Sequence, residues 1–226
     1  TKLIGKQRSG FCFLGNFRHP PNLDSVRWLL SEIWPALRAQ LPQAELHLYG
    51  AYPPAEISRH KGDQGVFAQG PVVDHRAALR SHRILLAPLR FGAGIKGKVL
   101  EAWGCGTPVI GSPLTFEGMG AQGGVARTCE EFVELAVKLH ENENSWISEQ
   151  ERGLSCVKDQ YARDPLARAF LHFVEERLPS IESRRSEDLI GRMLRHQQQN
   201  AMKYFSRWIE AKNELAHLPV EDERKR

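Results

Sequence analysis

Gly92, Gly94, Gly97, Lys98 and Glu101 crowd into one stretch of the chain, PLRFGAGIKGKVLEAWGCGTPVIGSPLTFEGMG, residues 88–120. A glycine-rich turn that runs into a helix offers free backbone N–H groups and the positive end of the helix to an anion. Three anions compete for it. Gly92, Gly94 and Gly97 spell the dinucleotide pattern GxGxxG, with Glu117 twenty residues past Gly97. That pattern belongs directly after the first strand of a βαβ unit, whereas this one follows the fourth apolar run and is separated from it by Leu89, Arg90 and Phe91. Gly92, Gly97 and Lys98 also come close to a phosphate-binding P-loop, but Val99 stands where a hydroxyl must hold magnesium. The third reading starts the helix near Lys96 and puts Glu101 about one turn inside. There its carboxylate can accept two hydrogen bonds from a ribose diol while the turn and Lys98 receive a diphosphate. This is the geometry of a nucleotide-sugar donor site.

These residues have to be held by alternating strands and helices. FCFL, ELHLYG, GVFAQG, ILLAP and TPVIG read as strands, with a sixth at residues 124–126. Helices are expected at 24–40, from an Asp74 cap to 79, at 96–103, and at 130–141, 145–161 and 164–177, with Pro35 kinking the first or opening a new turn. Such alternation implies an α/β fold with a doubly wound parallel sheet and ligands at the carboxyl ends of its strands. That rule adds Gly15, Asn16 and Arg18 after the first strand and Gly70 after the third. The division expected is a linker over 1–10, a Rossmann-like domain over 11–178 and a helical tail over 179–226.

In the tail, Ile190, Leu194, Ala201, Phe205, Trp208 and Leu215 fall near one helical stripe, broken at 197–199 and stopped by Pro219. It could cross to another domain, bind another chain or fold onto its own domain. Over the whole tail Arg and Lys outnumber acids only slightly, which argues against membrane docking.

Composition sets the outer limits. A net charge of +4 over 226 residues is too small to argue nucleic acid. Cys12, Cys105, Cys129 and Cys156 show no zinc spacing and read as buried reduced thiols of a cytoplasmic protein. No apolar run approaches a membrane span and no signal peptide opens the chain. The nine histidines form no cluster, and Trp28 and Trp34 read as core or stacking residues.

The block from Pro88 to Gly118 resembles the C-terminal, donor-binding domain of GT-B glycosyltransferases, in the large retaining group numbered family 4. The likeness rests on Glu101, Ala102, Gly104, Gly106, Pro108 and Val109, then Ser112-Pro113 and Glu117-Gly118, and it extends over about residues 11–176. It implies a retaining, metal-independent transferase that uses a nucleotide-diphosphate sugar and no other cofactor. It also implies an N-terminal acceptor domain, or a partner subunit, beyond this chain.

In such enzymes the loop after the first strand carries an Arg and then a Lys for the diphosphate. Here those positions are Asn16 and about Asn22, so Arg18, Lys96 or Lys98 must replace the charge, and Lys98 and Arg18 are the candidate catalytic cations. The first of the family's two glutamates falls at Ala93, leaving backbone N–H groups of Gly92-Ala93-Gly94 to face sugar or phosphate. Gly70 begins the segment that would clasp the base through backbone atoms, and Glu117 would meet sugar or acceptor. Plainer readings stand beside these. Arg18 is a solvated loop charge, Glu101 pairs with Lys98 on the helix surface, Gly70-Pro71-Val72 is a turn, and Glu117 orders its own loop. The departures leave a non-catalytic nucleotide-sugar-binding domain as the alternative function, and an NAD(P)-binding domain as a third.

Overall fold

The computed structural model describes residues 8–120 and 123–216, with side chains to residue 213. The chain divides into two compact units, Thr1–Ala162 and Arg163–Arg226.

The first unit is built on a six-stranded sheet, every pair of which is parallel: β1 (Ser9–Leu14), β2 (Leu46–Tyr49), β3 (Val66–Gly70), β4 (His82–Ala87), β5 (Val109–Gly111) and β6 (Gly124–Val125). Their order across the sheet is β3-β2-β1-β4-β5-β6. The central strands are buried on both faces, which is why Phe11–Phe13 and Ile84–Ala87 are continuous apolar runs rather than alternating ones. One face is closed by Val26, Leu29, Ile33, Trp34 and Leu37 together with Phe132, Ala136 and Trp146. The other is closed by Leu79, Val99, Ala102, Trp103 and Phe116. An order that reverses between β1 and β4 makes the doubly wound fold, with its crevice where the loops leaving those two strands diverge. The four cysteines are free, and burial pushes their thiols up, out of reach of easy ionisation.

The first helix differs from expectation in an instructive way. It opens at Pro20, because two consecutive prolines fix the backbone for its first turn and give up no needed N–H there. α1 (Pro20–Trp28) passes through a π-helical turn, Leu29–Ile33, into α2 (Trp34–Gln40). Pro35 cannot donate to the carbonyl four residues back, and the wider turn, with Trp34 N–H on Leu29 O, carries the chain past that defect with Leu29, Ile33 and Trp34 all buried. Next come the short α3 (Ala55–Ser58) and α4 (His75–Ser81), the latter capped by Asp74, whose Oδ1 accepts from the N–H groups of Arg76 and Ala77. α5 (Gly97–Gly104), α6 (Cys129–Glu141) and α7 (Glu143–Gln160) complete the unit.

The second unit holds α8 (Arg163–Arg177), α9 (Ile181–Glu187) and α10 (Leu189–Ala216). The sequence boundary at 178 would put α8 with the sheet; contacts along the chain group it with the helices that follow. α10 runs unbroken through Gln197–Gln199, so the polar triplet changes its surface and not its backbone. The side chain of Leu215, Pro219, and residues 1–7 of the expected linker lie outside the described residues.

Candidate functional site

At the switch point the β1 loop and the start of α5 come together, tied by Asn22 on α1 and Lys98 on α5. Gly15 N–H donates to Tyr49 O at 3.0 Å and Phe17 N–H to Ala51 O at 3.1 Å, so the loops after β1 and β2 run side by side. Gly50 makes this possible: a Cβ there would lie 1.8 Å from Gly15 O. Gly15 is bare on its other side, where the Asn22 side chain of α1 fills the space a Cβ would take. Asn22 Nδ2 donates to Asn16 O at 3.1 Å, and Asn22 Oδ1 accepts from Lys98 Nζ at 2.7 Å. An ammonium only donates and a carbonyl only accepts, so this is the one amide orientation that satisfies both partners. Asn16 Oδ1 accepts from Arg18 N–H at 2.9 Å and closes the loop.

Lys98 is half-buried, with Nζ 4.9 Å from the centre of the Phe13 ring, and loss of water around the ammonium pushes its pKa down to about 8. It occupies the first turn of α5, beside the Gly97 and Lys98 N–H groups that no helix can satisfy internally. Lys96, the residue before the helix, flanks the turn on the β5 side. Its side chain is 7% exposed, yet Nζ has no hydrogen-bond partner among the described residues and lies 3.8 Å from Glu117 Oε2. Glu117 follows the 3₁₀ turn Pro113–Phe116 and is itself exposed. Gly92 at φ +130° and Gly94 at φ +78° give the turn a backbone that side chains rarely adopt, and Ala93 between them is exposed. The turn is anchored by Arg90, which grips both carboxylate oxygens of Asp24 on α1 and holds that carboxyl below its usual range.

Glu101 does not pair with Lys98. Its Oε1 lies 3.0 Å from Nε2 of His75, the first residue of α4. His75 lines a cleft of about 250 Å³ with Leu14, Gly15, Asn16, Ala51 and Pro71, at the carboxyl ends of β1, β2 and β3. Gly70, at φ +71°, accepts from Gly50 N–H at 2.8 Å and leaves its outer side open just before that cleft. Arg18 turns away from Lys98 to stack on Tyr52, 3.5 Å from the ring centre. Tyr52 is exposed and left-handed at φ +58°, beside cleft residue Ala51.

The candidate residues therefore fall into three neighbourhoods. Gly15, Asn16 and Lys98 meet through Asn22. Lys96 and Glu117 meet on the β5 side of the turn. Glu101 meets the cleft through His75, with Gly70 behind it and Arg18 on Tyr52. Sequence reasoning missed Asn22, His75, Tyr52 and Gly50 as parts of this arrangement. Asn22 carried a signal, since it falls about where relatives place a lysine; nothing in local spacing joins His75 to Glu101 across 26 positions.

Residues 8–142 match the family of glycosyl transferases group 1, and the chain belongs to it. No curated protein matches the sequence. Among solved structures, TarM superposes with a TM-score of 0.63 at 13% identity, covering 76% of this chain and 36% of TarM. The pneumococcal O-GlcNAc transferase GtfA, in complex with UDP and GlcNAc, gives 0.58 at 15% identity, over 77% of this chain and 37% of GtfA. The C-terminal domain of the group 1 family protein LpcC from Francisella tularensis gives 0.56 at 13%, covering 73% of this chain and 95% of that domain. The fold is thus the Rossmann-like C-terminal half of a GT-B architecture. The chain spans little more than a third of the length of TarM and GtfA. No helix among the described residues is long and apolar enough to cross a membrane.

Proposed function

We propose that this chain is the donor-binding domain of a retaining, metal-independent glycosyltransferase that uses a nucleotide-diphosphate sugar. The observation that carries the reading is the pair of buried ammonium groups on either side of one glycine-rich helix start. Lys98 and Lys96 flank amides that need an acceptor, and Lys96 Nζ has no hydrogen bond of its own among the described residues. Burying charge is costly unless it is well neutralised. Among the described residues Lys98 donates only to the neutral Asn22 amide and Lys96 has only Glu117 at 3.8 Å, and a diphosphate laid along the turn would neutralise both. In this reading the leaving diphosphate is stabilised by Lys98, Lys96 and the turn amides around Gly92, Ala93 and Gly94 rather than by a metal. Glu101 takes the ribose diol, the base lies in the cleft near Gly15, Asn16 and Gly70, and Arg18 adds charge from the rim. Glu117, released from Lys96, is free to meet the sugar.

Lys98 also answers the loss of the loop cations. Its ammonium reaches Asn22, so positive charge arrives from α5 at the place where the family pattern supplies it from the β1 loop. The sugar's reactive carbon would face an N-terminal acceptor domain or a partner subunit. A non-catalytic donor-binding role is the second reading, favoured by Ala93, which gives the sugar no carboxylate. The test is calorimetric titration of the chain with uridine, guanosine and adenosine diphosphates in EDTA. Binding of one or more, lost on Lys98→Met with Lys96→Met, supports the proposal; absence of binding to all three refutes it.

A further inference from the structure

The last helix carries a signal that the donor site does not use. α10 is 28 residues long, about 42 Å at the rise of an α-helix. At 100° per residue, Ile190, Leu194, Tyr204, Phe205, Trp208 and Ile209 share one side, and they are between 39% and 71% exposed. Arg192, Arg195, Lys203 and Arg207 share the other side, and no Asp or Glu occurs between Leu189 and Ile209. The neighbouring helices are different. α8 has three basic and three acidic residues, and α9 has two of each. α10 has five basic and two acidic residues, so the slight basic excess of the tail is gathered in this helix, with four of its bases on one face before Glu210 and opposite an aromatic-rich apolar face.

That segregation decides among occupants. The apolar side covers more than a third of the circumference, wider than the narrow seam of a helix pair, and Gln197, Gln198 and Lys212 fall within it. A dry helix–helix seam would have to strip all three of water. At a lipid boundary a helix sinks only part of its depth, long side chains reach the headgroups, and Trp and Tyr sit where apolar meets wet. Four bases lie on the opposite side over Leu189–Ile209 before the first acid, Glu210, is reached, and this excess complements an anionic surface.

We propose that α10 is an interfacial helix that docks this chain on an anionic lipid membrane, lying in its plane. The aromatic side enters the acyl boundary, and Arg192, Arg195, Lys203 and Arg207 face the headgroups. The reading of the tail by total charge, which argued against membrane docking, is replaced by one that counts charge by face.

The full chain is tested by co-sedimentation with vesicles of equal parts phosphatidylglycerol and phosphatidylcholine, and with phosphatidylcholine alone. It should pellet with the anionic vesicles, and less so as salt rises. Arg192→Glu with Arg195→Glu should weaken binding roughly tenfold or more. Phe205→Ser with Trp208→Ser should abolish it, with circular dichroism and melting temperature unchanged because the side chains removed are exposed. Equal binding to neutral vesicles, or parent-like binding by either double variant, would overturn the proposal. So would a chain that ignores vesicles and instead forms a dimer that the Phe205/Trp208 variant disrupts.

Discussion

Lys98 Nζ stands 2.7 Å from Asn22 Oδ1, a contact between residues 76 positions apart that joins the helix of the glycine-rich turn to α1, whose Asn22 in turn holds the loop after the first strand. Burial holds the lysine's pKa near 8, against an ordinary value of about 10.4. The folded chain therefore holds fewer protons than the unfolded chain between these values. Stability should rise with pH from about 8 to about 10, because the unfolded state binds the extra proton there. Below pH 8 the charged, poorly hydrated ammonium costs the fold its full penalty, on the order of 1–3 kcal/mol. Lys98→Met should remove that slope and raise the melting temperature at neutral pH. Denaturant titrations of both proteins from pH 7 to pH 10 check this, and parallel curves would refute it.

Ligand binding should respond to pH in the opposite sense. A diphosphate next to Lys98 favours the charged form and raises its pKa, so near pH 8 the complex takes up protons from solution. Calorimetry in buffers of different ionisation enthalpy should report that uptake, and affinity should fall as pH passes 8. Asn22→Leu removes the acceptor that aims the ammonium and should weaken binding roughly tenfold, the scale of one hydrogen bond to a charged group. A buffer-independent enthalpy would rule out a role for the Lys98 proton.

Two glycines separate fold from ligand. At Gly50 an added methyl meets Gly15 O at 1.8 Å and the Phe17 ring at 2.7 Å, so Gly50→Ala should destabilise by about 1–3 kcal/mol through overpacking. At Gly97 nothing lies within 4 Å of an added Cβ and the backbone is helical. Gly97→Ala should therefore stabilise by about 0.4–1 kcal/mol by restricting the unfolded chain. If the diphosphate rests on that turn, the same methyl should weaken nucleotide binding. A Gly97→Ala protein that binds as tightly as the parent would move the anion elsewhere.

The sheet was legible because buried parallel strands announce themselves as apolar runs between turn residues, and each of the six expected runs became a strand. The helix starting at the glycine-rich turn was legible for the same local reason. What sequence could not supply was pairing at a distance. Glu101 and Lys98 sit three apart on a helix, the spacing at which such pairs form, yet each finds a partner from another element, His75 and Asn22. The start of α1 was misjudged because Pro20 and Pro21 read as loop residues until a helix is known to follow. Arg18 shows the limit most clearly. Its place after β1 suggested a phosphate ligand, and only the left-handed Tyr52 reveals what its guanidinium rests on.

Glu101 and His75 give a graded test of the ribose site. Glu101→Gln keeps the shape and removes the charge, so nucleoside diphosphate affinity should fall by roughly 1–3 kcal/mol. The His75–Glu101 contact is partly exposed on both sides, so stability should change by less than about 1 kcal/mol. His75→Ala frees the carboxylate without removing it and should cost affinity less than Glu101→Gln. Binding of a 2′,3′-dideoxy nucleotide should be insensitive to Glu101→Gln, since it lacks the diol. Equal losses for both nucleotides would assign Glu101 to something other than ribose.

Metal dependence and catalysis should part company in the isolated chain. On the proposed reading, Lys96, Lys98 and the backbone amides of the turn receive the diphosphate by charge and hydrogen bonds in place of a bridging cation. Nucleotide binding should therefore survive EDTA and weaken with added salt, though less steeply than exposed ion contacts do because both lysines are at least half-buried. Transfer is a separate demand. The turn and Glu101 can hold one side of a nucleotide sugar, but the acceptor hydroxyl must also be fixed in attacking geometry and water kept from the reactive carbon. Nothing opposite the crevice in the first unit supplies either among the described residues. Residues 1–226 should thus bind donor and hydrolyse it slowly at most. Transfer should appear when the N-terminal half, expected from relatives about twice as long, is joined or added. A radiolabelled donor assay with and without that half measures both quantities. Efficient transfer by the chain alone would require an acceptor site within it and would defeat the proposal that this is one side of a two-domain active site.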